Sequence, residues 1–155
     1  MKAKRKRRRL GDSGEACPVY AITVEPFKDN SGADAVARIG GKRVGAVTAM
    51  LDRVSFQVQS AEVSREHQRC GLGTKLYTAL ARWGCGQGMH MGSDSIRTED
   101  SQGFWAKQER KGRARCTHAT PEKGQGSVRI GRGGCATYQL TSCPVTDLSG
   151  RRRRR

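Results

Sequence analysis

Between residues 19 and 63 the apolar positions recur with the two-residue period of strands. Val19-Tyr20-Ala21-Ile22-Thr23-Val24 is apolar and β-branched and closes at Pro26, and Asp29-Asn30-Ser31-Gly32 is dense in turn formers. Ala35 to Ile39 reads as a second strand, Gly40-Gly41 as a tight hairpin turn and Val44 to Leu51 as a third strand. Two hairpin-like connections predict an antiparallel meander. In Ser55 to Val63 the apolar residues change phase, with Phe56 and Val58 on even positions and Ala61 and Val63 on odd ones. A one-residue bulge near Gln59-Ser60 restores a single buried face, although two short unrelated apolar runs give the same pattern. From Gly71 the period becomes helical. Leu72, Leu76, Ala79, Leu80 and Trp83 form one stripe with Lys75 and Arg82 off it, and Gly84 and Gly86 stop it. Met89 to Ser93 is a short strand. Ser101 to Lys111 is a second helix that buries Phe104, Trp105 and Gln108 and ends at Gly112. Arg113 to Cys116 and Val128 to Ile130 are short strand candidates. Ala136, Tyr138 and Leu140, alternating with Thr137, Gln139 and Thr141, make a better one. Gly124-Gln125-Gly126 and Gly131 to Gly134 punctuate this half, and no internal repeat is present.

Charge changes the picture less than its total suggests. The 155 residues carry a net charge of +16, but seven of the basic side chains lie in residues 1–9 and five more are Arg151 to Arg155. What remains between is ordinary for a single domain, expected over residues 11–148, with basic tails at 1–10 and 149–155. Such tails attract phosphate backbones without sequence preference, so nonspecific nucleic-acid contact through residues 1–9 and 151–155 is a competing expectation. Specific readout is not expected, because the eight aromatic residues show no stacking pattern. No apolar run is long enough to span a membrane. The basic start leads at Leu10 into Gly-Asp-Ser-Gly-Glu, not into an export signal, so the expected location is cytoplasmic. Six cysteines are then expected as reduced thiols. None forms a C-x-x-C pair, the nearest ligand-like spacing is Cys116-Thr117-His118, and no metal is expected.

The segment Val63-Ser64-Arg65-Glu66-His67-Gln68-Arg69-Cys70-Gly71-Leu72-Gly73-Thr74-Lys75-Leu76 carries the chemistry. A chain that passes from strand to helix through closely spaced glycines presents several unobstructed N–H groups at the positive end of the helix dipole, which suits phosphate. A Walker A loop does not fit, because neither the spacing before Gly73 nor the Thr-Lys order matches it. A dinucleotide G-x-G-x-x-G fails at Leu76, and seven residues separate Val63 from Gly71. Gln68-Arg69-Cys70-Gly71-Leu72-Gly73 instead resembles the coenzyme A motif [Q/R]-x-x-G-x-[G/A] of the GNAT superfamily of N-acetyltransferases, with the strand-to-motif spacing of that family. The resemblance covers about residues 55–112.

The resemblance implies an α/β (α+β) fold with a mixed, mostly antiparallel sheet, a splayed bulged strand and helices at about 71–84 and 101–111. It implies acetyl-CoA as cosubstrate and direct transfer to an amine acceptor, a small molecule or a protein or peptide. The pyrophosphate is expected on the backbone of Cys70, Gly71, Leu72, Gly73 and Thr74, beside Gln68 and Arg69. The end of the bulged strand, Glu62, Val63 and Ser64, is expected to pair with the pantetheine arm, and Thr98 stands near the position of a family Asn. An N–H at or near Val63 would polarise the carbonyl. The catalytic positions depart from the pattern. Gln57 stands where one branch of the family has a glutamate, and Trp105 where many members have a proton-donating tyrosine. Glu62 and Asp94 are the remaining carboxylates suited to proton abstraction, and a coenzyme A binding pseudoenzyme is a further alternative. His67, His90 and His118 are expected to be solvated. The family's helices between the first two strands have no room in Phe27 to Ala33, which implies an open groove able to accept a large substrate.

Overall fold

The chain is described from a computed structural model over residues 16–53, 55–93, 99–119 and 135–144. The first half folds as the predicted meander: β1 (Ala21–Pro26), β2 (Gly32–Ile39), β3 (Lys42–Leu51) and β4 (Phe56–Val63) are antiparallel neighbours in chain order. Gly40 and Gly41 adopt φ of 54° and 79°, the left-handed pair that a two-residue hairpin loop requires. Residues 27–31 form only a turn, in which the Phe27 N–H donates to the Gly32 carbonyl and Asn30 takes φ 57°. Pro26 lies inside β1 rather than beyond it. This is tolerated because β1 is the edge strand, where a missing N–H need not break a ladder.

The phase change in the fourth strand is a bulge. Thr48 opposes Ser60 while Ala49 opposes Val58, so Gln59 is the extra residue and the strand turns about it. β5 (Met91–Gly92) lies parallel to β4, and β6 (Ala114–Ala119) and β7 (Cys135–Leu140) complete a seven-stranded sheet of order β1-β2-β3-β4-β5-β7-β6. Among the described residues, Phe56 with Met91 and Gln57 with Gly92 are the pairs that join β4 to β5. Beyond them Ser93, fully buried, turns to β7: its N–H donates to the Tyr138 carbonyl (2.8 Å) and its Oγ accepts from the Tyr138 N–H (2.8 Å). β4 meanwhile follows β3 through the bulge as far as Val63.

Helix α1 (Leu72–Gly86) covers one face of the meander. Leu72, Leu76 and Leu80 are buried in one cluster with Ala33, Ala35, Ala37, Val47 and Ala49, small strand residues over which a helix can sit closely. Gly84 is not the stop the pattern suggested. It is helical, and a Cβ there would run into the Phe56 ring. The helix ends at Gly86, the second expected stop, and is closed by Gly88, φ 81°, in a Schellman turn where Met89 N–H donates to the Gly84 carbonyl and Gly88 N–H to that of Cys85 (both 2.9 Å). Helix α2 (Glu99–Arg110) starts two residues before the predicted one and buries Trp105 and Gln108 as expected, whereas Phe104, expected in the core as well, is only half-buried and lines a cavity. The Val128 to Ile130 candidate and both basic tails lie outside the described residues.

The expectation of reduced thiols is corrected. The cysteines form three disulfides, Cys17–Cys70, Cys85–Cys143 and Cys116–Cys135, with Cα separations of 5.5, 5.9 and 5.8 Å. Partners 53, 58 and 19 positions apart meet only through the sheet topology. No helix among the described residues is long and apolar enough to cross a membrane.

Candidate active site

The cleft is built from the end of β4 and the start of α1. After Val63 the chain makes a single 3-10 turn, Arg65–His67, held by the His67 N–H donating to the Ser64 carbonyl (2.8 Å). The Gln68 amide reaches back to the Val63 carbonyl (3.2 Å). Arg69 (φ 64°) and Gly71 (φ 73°) are both left-handed, a backbone that turns successive N–H groups toward one side. Gly71 is the N-cap of α1 and supplies no side-chain cap, and no acidic residue occupies the first turn. The first N–H groups of the helix and its positive dipole end therefore face the cleft with no carboxylate of the first turn against them.

This loop is pinned from behind. Cys70, 6% exposed, is bonded to Cys17. The Tyr20 hydroxyl meets His67 Nδ1 at 3.1 Å, with the two rings edge to face at 5.5 Å, and Lys75 Nζ stands 6.0 Å from the Tyr20 ring centroid. Burial pushes the Tyr20 phenol pKa up from its ordinary value. His67 is thus half-buried and bonded, not solvated as expected.

The cleft has a volume of about 650 Å³, within the range of small-molecule sites. Val47, Ala61, Glu62 and Val63 form one wall, and His67, Gln68, Arg69, Gly71, Leu72, Gly73, Thr74 and Tyr77 the other, with Ser101 and Phe104 of α2 closing the end. A Cβ placed on Gly73 meets nothing within 4 Å, so the cleft extends to the helix backbone there. Tyr77 stacks on Phe104 (centroids 4.4 Å apart), and its hydroxyl lies 3.2 Å from Ser101 Oγ. A second cavity of about 330 Å³ is lined by Arg43, Val44, Gly45, Ala46, Glu62, Val63 and Ser64, so Glu62 and Val63 line both.

The fold thus brings Glu62, Val63, Gln68, Arg69, Gly71, Leu72, Gly73 and Thr74 together on the cleft and places Ser64 on the smaller cavity. Cys70 is in the same loop but is turned into its disulfide. Asp94 and Thr98 lie outside the described residues, as does the His118 side chain. Trp105 does not line the cleft. It is fully buried, stacked on Tyr138 and edge to face with Phe104 and Tyr77, and its Nε1 has no hydrogen-bond partner among the described residues. The helical stripe missed Tyr77 and Ser101. Tyr77 follows Gly73 by four and Thr74 by three, the spacing that puts all three on one face, and that spacing was the signal available.

This arrangement agrees with the relationships of the chain. It belongs to the acetyltransferase (GNAT) family, whose model matches residues 6–108. That membership places it among acyltransferases. A comparison with curated protein sequences returns no match. Among solved structures it is similar in fold to an IAA acetyltransferase from Bacillus cereus, at 16% identity and TM-score 0.53 over 78% of this chain and 96% of the other. It is likewise similar to a GNAT family acetyltransferase from Elizabethkingia anophelis with acetyl-CoA bound, at 12% identity and TM-score 0.53 over 78% and 95%. A nourseothricin acetyltransferase matches at 20% identity and TM-score 0.53 over 81% and 84%.

Proposed function

We propose that the chain is an N-acetyltransferase that moves the acetyl group of acetyl-CoA directly onto a primary amine. The observation that carries this reading is the cleft between a helix start with left-handed entry and no side-chain cap and the end of β4, whose pairing with β5 among the described residues stops at Gln57. In this proposal the N–H groups of Gly71 to Thr74, with Arg69 beside them, hold the pyrophosphate. The free edge of β4 at Val63 pairs with the pantetheine amides as a further strand would, whereas the Ser64 N–H is already donated to the Val44 carbonyl (2.8 Å) and is not available to the arm as expected. The thioester then lies near Glu62 and Val63, which line both cavities, and the acceptor amine approaches from the smaller one.

An ammonium has no lone pair, so the amine must first lose a proton, to Glu62 directly or through a water. Asp94 is the alternative carboxylate. The amine nitrogen attacks the carbonyl carbon, and the charge that develops on oxygen is met by the Val63 N–H. The C–S bond breaks and the thiolate takes a proton. With Trp105 buried, the Tyr77 hydroxyl on the cleft wall is assigned the donor role. Because residues 27–31 form only a turn, nothing from that connection narrows the acceptor side, which suits a large acceptor such as a peptide or protein amine.

Release of free coenzyme A from acetyl-CoA across polyamines, aminoglycosides, amino acids and peptide amino termini tests the reading. Acceptor-dependent release supports it. No release with any acceptor and no thermal stabilisation by millimolar acetyl-CoA would overturn it.

A further inference from the structure

At the far end of α1 the fold assembles a second set of groups that plays no part in acyl transfer. Cys85 is in the last turn of α1, His90 just before β5, and Cys143 just after β7. One ligand atom from each, Sγ, a ring nitrogen and Sγ, lie within 4.8 Å of one another, with His90 and Cys143 exposed. Cys85 is thirteen positions along the helix from Leu72, which puts the cluster about 20 Å from the cleft end of α1 at the usual rise per residue. Sequence spacing pointed to Cys116-Thr117-His118 instead, because Cys143 joins Cys85 and His90 only through the placement of β7.

We infer that Cys85, His90 and Cys143 form a zinc-class divalent metal site in the dithiol form of the chain, and that the Cys85–Cys143 disulfide is its metal-free, oxidised alternative. Two thiolates and an imidazole are the ligand set that zinc favours, and the exposure of two of them leaves a fourth position for water. Zn–S bonds of about 2.3 Å and Zn–N bonds of about 2.0–2.1 Å place the two sulfurs and one nitrogen of a tetrahedral site roughly 3.5–3.8 Å apart, a spread these side chains reach by rotation. The backbone positions are held without the disulfide. The Schellman turn at Gly84 to Met89 carries the chain from Cys85 to His90, and the Arg82 Nε donates to the Pro144 carbonyl (3.1 Å), keeping the Cys143 segment on the helix. The negative end of the α1 dipole also favours a cation there, against the opposing charge of Arg82.

The two states are exclusive. A dithiol reductant gives two electrons and two protons to the disulfide and becomes a disulfide itself, leaving two thiols on the chain. Metal binding then displaces both thiol protons as the S–metal bonds form. The site is independent of the acetyltransferase reading and survives if that reading fails.

The test loads the full chain with zinc, and with cobalt(II) as a spectroscopic stand-in, before and after treatment with a dithiol, followed by desalting and metal analysis. The oxidised chain is expected to retain none. The reduced chain is expected to retain one zinc per chain and to show the tetrahedral cobalt spectrum with thiolate charge-transfer absorption. Cys85→Ser with Cys143→Ser abolishes both, His90→Ala weakens zinc affinity at least about tenfold, and Cys116→Ser with Cys135→Ser leaves the site intact. Three results overturn the proposal: a reduced chain that binds no zinc, unchanged zinc in the Cys85/Cys143 or His90 variants, or loss of secondary structure by circular dichroism on reduction.

Discussion

Two glycines in one helix make opposite predictions. Gly73 is in the first turn of α1, and a Cβ there meets nothing within 4 Å; Gly84 is near the end, and a Cβ there collides with the buried Phe56 ring. Gly in a helix costs about 0.8–1.0 kcal/mol relative to Ala, less near a terminus, so Gly73→Ala and Gly73→Leu are expected to stabilise the free protein by roughly 0.5–1 kcal/mol. For a domain of this size that raises Tm by about 1–4 °C. Gly84→Ala has the same propensity gain, but overpacking a filled core costs about 1–3 kcal/mol, and its Tm is expected to fall. Ligand binding separates the Gly73 variants. Wild-type protein with acetyl-CoA at one hundred times Kd gains about 2.7 kcal/mol, roughly 5–11 °C. In Gly73→Leu the side chain occupies the space assigned to the pyrophosphate, and this shift is expected to vanish while the free protein stays folded. Differential scanning fluorimetry with and without acetyl-CoA reads both numbers. An undiminished ligand shift in Gly73→Leu refutes the cradle assignment, and a marked fall in its ligand-free Tm refutes the open space at Gly73. Gly71 is a poorer test, since φ 73° makes any side chain there strained whatever it blocks.

Three further outcomes are expected. Glu62→Gln is expected to lower kcat about 10²–10⁴-fold with little change in acetyl-CoA affinity by calorimetry; an unchanged kcat would move the base to Asp94 or water. Replacing Cys17 and Cys70 together by Ser removes a cross-link that closes a long loop and pins the phosphate loop, so unfolding stability is expected to drop by about 2–4 kcal/mol in denaturant titration and acetyl-CoA affinity to weaken; equal affinity in the variant would show that the pin is irrelevant to the cleft. Deleting residues 1–9 and 151–155 is expected to leave acyl transfer unchanged while removing salt-sensitive DNA retention, and loss of turnover on deletion would contradict the separation of tails from chemistry.

The local elements of this protein were legible in the sequence because each depends on neighbours in the chain. Alternation marked the meander, Gly40-Gly41 marked its hairpin, and the switch of phase between Val58 and Ala61 marked the bulge at Gln59. The loop from Gln68 to Gly73 was equally visible, since its conformation is set by glycines close together. Helix ends were less so. Gly84 looked like a stop, but it is there to admit Phe56, a residue 28 positions earlier that only the folded sheet brings near. What required the tertiary structure was every pairing across distant chain. That β5 leaves β4 after two residues follows from the hold of Ser93 on Tyr138. Trp105 turns into the core and leaves Tyr77 and Phe104 at the cleft, because α2 packs its faces against both α1 and β7. The cysteines carried no pairing information in their spacing, and partners up to 58 residues apart meet by topology alone. Backbone conformation and periodic burial are local and can be read along the chain, whereas which side chains share a cavity, a disulfide or a metal depends on the order of strands in the sheet.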